Sequence, residues 1–173
     1  HEEVIPVSEL YEICATAREL LTGLHGVGRV IARPFVGEPG NFTRSTRRHD
    51  FSVSPPGQTL LNTLSDAQYQ VVAVGKVNDL FAGSGVTSAV SAAGNEEIFS
   101  KAVAAFNELD KGVVFATLVD FDTLYGHRNN PQGFAEALQQ FDSWLPRILT
   151  VLQEGDIIVL TADHGCDPTT TST

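Results

Sequence analysis

Apolar residues recur at two different periods along the chain, and the alternation between them predicts the layout of the fold. Over 8–22, SELYEICATARELLT, Leu10, Ile13, Cys14, Ala17, Leu20 and Leu21 return at helical spacing, with Ser8 as the predicted cap. The stretch GRVIARPFVG at 28–37 reads as a strand broken at Pro34, which has no N–H to give to a ladder. Residues 37–50, GEPGNFTRSTRRHD, are polar and read as a loop. SPPG at 54–57 can continue neither helix nor strand, so it marks a boundary.

Beyond that boundary the pattern becomes regular. The spacing predicts a helix over 58–67, a buried strand QVVAVG at 70–75, a Gly-, Ala- and Ser-rich loop at 80–94 and a helix over 96–110 capped by Asn95. A continuous apolar strand, GVVFATLV, follows at 112–119. Asn130-Pro131 opens a helix to about residue 153, with Phe134, Leu138, Phe141, Leu145, Ile148, Leu149 and Leu152 on one face and Pro146 placed to kink it. DIIVLT at 156–161 reads as a further buried strand. Apolar strands alternating with helices predict an α/β fold, a mostly parallel sheet with helices on both faces and right-handed crossovers.

Composition narrows the function. With 42% hydrophobic and 18% charged residues, the 173-residue chain can bury a core. Asp and Glu number 21 against 11 Lys and Arg, a formal charge of −10 that repels nucleic acid and anionic membranes. The basic residues cluster, however, with Arg29, Arg33, Arg44, Arg47 and Arg48 in one stretch, so a local anion site is compatible with the acidic whole. Cys14 and Cys166 stand in no zinc or redox spacing, which favours a reducing, cytoplasmic compartment over a disulfide framework. No apolar run approaches the roughly 18 residues that a membrane span requires. The chain starts at His1, contains no Met and stops soon after its most chemical-looking motif, so it reads as the middle-to-late part of a longer enzyme.

Ligands of parallel sheets bind beyond the carboxyl ends of the strands. Two predicted strands carry an acid and an imidazole to that rim: Asp120, Asp122 and His127 follow 112–119, and Asp163 and His164 follow 156–161. A single Asp-His pair after a strand is often only a turn or a cap; a second such strand end shifts the balance towards a shared site. Oxygen and nitrogen donors together suit zinc, manganese or iron, and paired ions can clamp a phosphoryl group. Asp120 and Asp122 are one residue apart, so on an extended strand they share a face and either one fits the ligand role. Lys76 follows the strand QVVAVG and so lies at the same rim. Arg29 sits inside apolar VGRVIA, where an unpaired charge is costly, so a partner or an anionic ligand is predicted for it. Arg44 is an exposed loop residue, and Arg47 and Arg48 read as a solvated face. GLHGVG and GSG lack the strand-then-helix context of a dinucleotide loop. None of the hydroxyls at 169–173 has a base nearby in sequence, and none is assigned as a nucleophile.

Four blocks, VGRVIARPFVGEPGNFTRSTRRHDF, VVAVGKVNDLFAGSGVT, LVDFDTLYGHRNNPQGFAEAL and LTADHGCDPTTTST, resemble the phosphopentomutases, the manganese-dependent branch of the alkaline phosphatase superfamily. TADHG alone is shared across that superfamily, whereas ARPFVGEPGNFTR points to this branch. The resemblance implies interconversion of ribose 1-phosphate and ribose 5-phosphate, and of their deoxy equivalents, in nucleoside salvage. It implies two divalent metal ions, manganese above all, a phosphorylated threonine and priming by a sugar bisphosphate. By match to the motifs, Asp122, His127, Asp163 and His164 are the implied metal ligands, and Arg29, Arg44 and Lys76 the implied phosphate ligands. An alkaline phosphatase-like core with an inserted α/β cap is implied as well, with 1–54 the C-terminal part of the cap and 55–173 part of the metal-binding core. The threonine segment and a further metal-binding Asp match no position here, and Thr171 stands where the family commonly has Pro. The isolated chain is therefore expected to be inactive. A phosphatase or phosphoglycerate mutase of the same superfamily shares TADHG but not the cap block. A non-catalytic sugar-phosphate or metal-binding domain is the reading from another class.

Overall fold

The structure, a computed structural model, describes residues 1–170; Thr171 lies outside the described residues. The chain divides into two compact units, His1–Thr63 with Asn78–Gly85, and Leu64–Val77 with Val86–Thr173.

In the first unit, helix α1 (Val7–Leu20) packs on strand β1 (Arg29–Ala32), which is followed by β2 (Phe35–Glu38), β3 (Asn41–Arg44) and β4 (His49–Ser52). Ser8 is not the cap: Pro6 precedes the first turn, and no side chain bonds there. The break at Pro34 is as the sequence predicts, with β1 and β2 ending up in different sheets. The polar stretch 37–50 is not one loop. Its alternating residues build the β2–β3 hairpin, closed by Pro39-Gly40, and the start of β4. β1 pairs antiparallel with β4, with Arg29 opposite Ser52 and Ile31 opposite Asp50. Arg29 and Asp50 are therefore diagonal neighbours on one face. Tyr11 of α1 secures the same sheet: its hydroxyl donates to the Arg47 carbonyl at 2.8 Å, and its ring lies against His49 and Phe51.

A short helix α2 (Leu60–Asp66) leads towards the second unit, built on the parallel sheet β6-β5-β7. Its strands are β5 (Gln70–Val74), β6 (Ser88–Val90) and β7 (Gly112–Ala116); along the chain the first two are separated by a four-residue helix α3 (Val77–Leu80), most of which belongs to the first unit. β6 falls inside the stretch 80–94 that its small residues mark as a loop. β5 is buried along most of its length, with Val71 and Ala73 on one face and Val72 and Val74 on the other, as a central parallel strand requires. Val72 and Val74 meet Ile98 of helix α4 (Gly94–Glu108) in a core that extends to Ala102 and Val114. Asn95 lies inside the first turn of α4 rather than capping it; Ala93 holds the cap position, its N–H donating to Glu97 Oε2 at 2.8 Å.

Helix α5 (Pro131–Leu149) starts as its sequence predicts, the Asn130 side chain accepting from the Gly133 N–H at 3.0 Å. Its buried line runs through Gly133, Ala137 and Trp144, while Leu138 and Leu149 are exposed. The apolar stripe is wider than the strip of helix that packs. Phe99 of α4 takes Phe141 and Trp144 against its ring at centroid distances of 5.9 and 5.5 Å.

The predicted strand 156–161 does not form. Its start is committed to a turn in which Gln153 N–H donates to Asp156 Oδ2 at 2.7 Å, and Ile157, Ile158, Val159 and Leu160 are 39–82% exposed. An apolar run specifies burial, but pairing needs a seated neighbour, and β5 already has β6 and β7 on its two edges. No helix among the described residues is long and apolar enough to cross a membrane.

Candidate metal centre

The site lies in the second unit, beyond the carboxyl end of β7. Residues 117–119 leave the strand, and the backbone then tightens into a π-helical turn, Phe121–Tyr125, followed by a 3-10 turn, Gly126–Arg128. Val119 O accepts from both the N–H and the hydroxyl of Thr123, at 3.0 and 2.9 Å, which starts the first of these turns. Single π-helical turns are rare and are frequently found at functional sites. Here the turn separates two acids that an extended strand would put on one face. Asp120 faces α4, its Oδ2 accepting from Asn95 N–H at 2.7 Å. Asp122 faces two imidazoles.

Asp122 Oδ1 lies 3.1 Å from His127 Nε2 and 3.6 Å from His164 Nε2. It is buried although the side chain as a whole is 39% exposed, and it makes no well-aligned hydrogen bond to either ring. The two rings lie near parallel, 6.4 Å apart. His164 Nδ1 is 2.8 Å from its neighbour's carbonyl, Gly165 O. A carbonyl only accepts, so Nδ1 carries the proton and Nε2 of the neutral ring presents a lone pair towards Asp122. A backbone partner of this kind is what fixes the tautomer of a metal-binding histidine. That carbonyl, with the Asp163 and Asp122 carboxylates, holds the His164 pKa above its ordinary value. The same field favours any cation at this point. Carboxylate oxygen and imidazole nitrogen match the donor preferences of a borderline divalent ion, so the residues fit a metal chemically.

They are not drawn into a finished cage. Asp163 is 83% exposed, with its Oδ1 4.0 Å from His164 Nε2 and accepting from the His164 N–H. Among the described residues no three such side chains converge on one point. The strands expected to set the site side by side are therefore only half realised: β7 forms, 156–161 does not, and the loops beyond them still meet.

Close packing holds the two loops together. A Cβ on Gly126 would overlap Cys166 Sγ and come within 3.0 Å of Phe121 O. Gly126→Ala is expected to destabilise the second unit by about 1–3 kcal/mol, the usual range for overpacking. Urea denaturation measures this, and adding Cys166→Ala should restore most of the loss; no recovery would mean that the sulfur is not the obstacle.

The predicted anion-binding residues are divided between the two units. Lys76 follows β5 and Asp122 follows β7, both beyond the carboxyl end of the parallel sheet. Arg29 and Arg44 belong to the first unit. Arg29 Nη1 bonds Asp50 Oδ2 at 3.2 Å, and Arg48 grips both oxygens of the same carboxylate at 2.8 Å. Arg29 thus has the partner predicted for it, although it lies exposed at the start of β1 and not in apolar surroundings. Arg44 lies exposed at the end of β3, opposite Phe35. Asn95 and Gly126 carry no sequence signal for the site, because their partners lie 25 and 40 residues away.

A family model, the metalloenzyme superfamily, matches residues 27–173. The full chain is 54% identical over 173 residues to a phosphopentomutase of Caldanaerobacter subterraneus subsp. tengcongensis, covering 44% of that protein. It is 56% identical to a phosphopentomutase of Carboxydothermus hydrogenoformans and 53% identical to one of Desulfitobacterium hafniense, covering 45% of each. The chain thus spans under half the length of the curated relatives it matches.

Proposed function

Because the chain belongs to the metalloenzyme superfamily, we propose that the full-length protein is a phosphopentomutase, interconverting the 1- and 5-phosphates of ribose and deoxyribose. The observation that carries this reading is the buried, unbonded Asp122 Oδ1 beside the Nε2 atoms of His127 and His164. Asp122, His127, Asp163 and His164 would hold part of a site for two divalent ions, with manganese the ion we favour. When bound, such ions neutralise charge on a transferring phosphoryl group and its attacking and leaving oxygens.

The chain's own residues contribute orientation and charge. Gly165 O holds the His164 ring in the tautomer that leaves Nε2 unprotonated. The π-helical turn aims Asp122 at the imidazoles. Arg29, Arg44 and Lys76 are proposed to bind the phosphate of the sugar, the arginines through their planar forks and Lys76 as a point charge. The bond from Arg29 to Asp50 uses one of the five donors a guanidinium carries. Residues 1–54 are taken as the C-terminal part of a cap and 55–173 as part of the core, a boundary supported by the end of β4 at Ser52 just before the SPPG stretch, although residues up to Thr63 and Asn78–Gly85 cluster with the first unit. The transferring threonine and the sugar bisphosphate that primes it complete the proposal, as does a cytoplasmic setting suited to the free Cys14 and Cys166.

A coupled assay of the full-length protein with ribose 1-phosphate and manganese tests this directly. Turnover to ribose 5-phosphate is the expected result, and hydrolysis to free ribose would make the protein a phosphatase instead. Arg29→Ala is expected to raise KM about 10–100-fold, since a charge-assisted hydrogen bond contributes roughly 1.5–3 kcal/mol. Unchanged kinetics would remove Arg29 from the phosphate site.

A further inference from the structure

Asn95 is a buried polar side chain, 5% exposed, in the first turn of α4. Burying an amide is costly unless its polar atoms are bonded, and here the bonding is reciprocal. Asn95 Oδ1 accepts from Asp120 N–H at 2.9 Å, while Asn95 N–H donates to Asp120 Oδ2 at 2.7 Å. Asp120 immediately precedes the π-helical turn that carries Asp122, and its backbone is helical, with φ −72° and ψ −30°. Its carboxylate also sits at the amino end of α4, where a negative charge is favoured by the exposed N–H groups. Gly94 has φ +71°, and a Cβ there would stand 3.4 Å from Asp120 Oδ2, so the approach is close.

We propose that Asn95 and Asp120 form a bracket that positions Asp122 for metal binding, Asp120 being a positioning residue and not a ligand. The bracket joins the helix packed on the sheet to the residue where the π-helical turn begins. It fixes that turn at one end, while the Val119–Thr123 bonds hold its first residues. Without it, Asp120 and Asp122 would be free to exchange roles or to swing away from His127 and His164. This inference rests on the metal-centre reading given above.

The test is isothermal titration of the full-length protein with manganese(II), alongside thermal unfolding of the metal-free protein. Asn95→Ala is expected to weaken manganese binding about 10–100-fold, the usual loss when an outer partner of a metal ligand is removed. Asp120→Asn keeps both bonds of the bracket but removes the charge, and should bind manganese within about threefold of the unaltered protein. Asp120→Ala should resemble Asn95→Ala, and decides the matter if Asn95→Ala does not fold. Asp122→Asn should bind far more weakly than any of these. Loss of affinity in Asp120→Asn as severe as in Asp122→Asn would make Asp120 a ligand and overturn the proposal. A lowered unfolding temperature with unchanged affinity in Asn95→Ala would reduce the bracket to a structural tie, which also overturns it. Unchanged affinity in Asp122→Asn would instead refute the metal centre itself, and the bracket's role with it.

Discussion

Replacing Asp122 by asparagine in the full-length protein is expected to reduce mutase turnover by on the order of a thousandfold while leaving the fold intact. The two expectations have separate causes. Asparagine keeps the size of the side chain, and Asp122 is neither hydrogen-bonded through Oδ1 nor part of the apolar core. Stability should therefore move by no more than about 1 kcal/mol. Chemistry loses much more. A neutral amide oxygen is a weaker donor to a divalent ion than a carboxylate, and the charge stabilisation such an ion gives a phosphoryl transition state is worth several kcal/mol, each 1.36 kcal/mol being tenfold in rate. Steady-state kinetics with saturating manganese, set beside a urea titration, read both quantities. Turnover within tenfold of the unaltered enzyme would show that Asp122 does not serve the centre.

The second large effect concerns the 173-residue chain on its own, which is expected to show no mutase turnover and only weak manganese binding. Ligand count is the reason. Manganese favours about six donors, and two ions need donors from several strand ends. Asp122, His127 and His164 approach one another, but Asp163 is turned to solvent, and no described trio of donors converges. The exposed run Ile157–Leu160 adds a handicap, since an extended apolar segment with open backbone groups invites association between copies. Titration calorimetry and the coupled assay, run on the isolated chain, check the expectation. Two-site micromolar binding, or turnover near that of the full-length protein, would refute it.

What the sequence discloses is whatever depends on neighbours along the chain. Asn130-Pro131 announces the start of α5 because the cap and its acceptor geometry are local. Pro34 breaks the strand wherever the rest of the chain goes, and β5 shows as a buried strand because every residue after Gln70 must be apolar. The aspartate and histidine of each block are equally visible, since their placement after apolar runs is a local pattern. The failures share one property: they depend on partners distant in sequence. DIIVLT carries the apolar content of a strand but not the identity of a neighbour, and none is seated beside it. Asn95 reads as a cap because its true partner, Asp120, is 25 residues away. Arg29 requires a counter-charge, yet that Asp50 supplies it becomes apparent only from the register of β1 against β4. That Asp120 faces Asn95 while Asp122 faces the imidazoles follows from a π-helical turn that the residue pattern alone does not announce.

The packing of α4 against α5 has a practical consequence. Trp144 is the single tryptophan of the chain, and it lies buried beside Phe99 in the second unit. Selective excitation of its indole therefore reports on that unit alone, and the first unit, which has no tryptophan, is spectroscopically silent at that wavelength. A red shift of the emission marks the parting of the two helices, whereas far-ultraviolet circular dichroism averages over both units. Disagreement between the two signals during denaturation would resolve the order in which the halves of the chain come apart, without any introduced label.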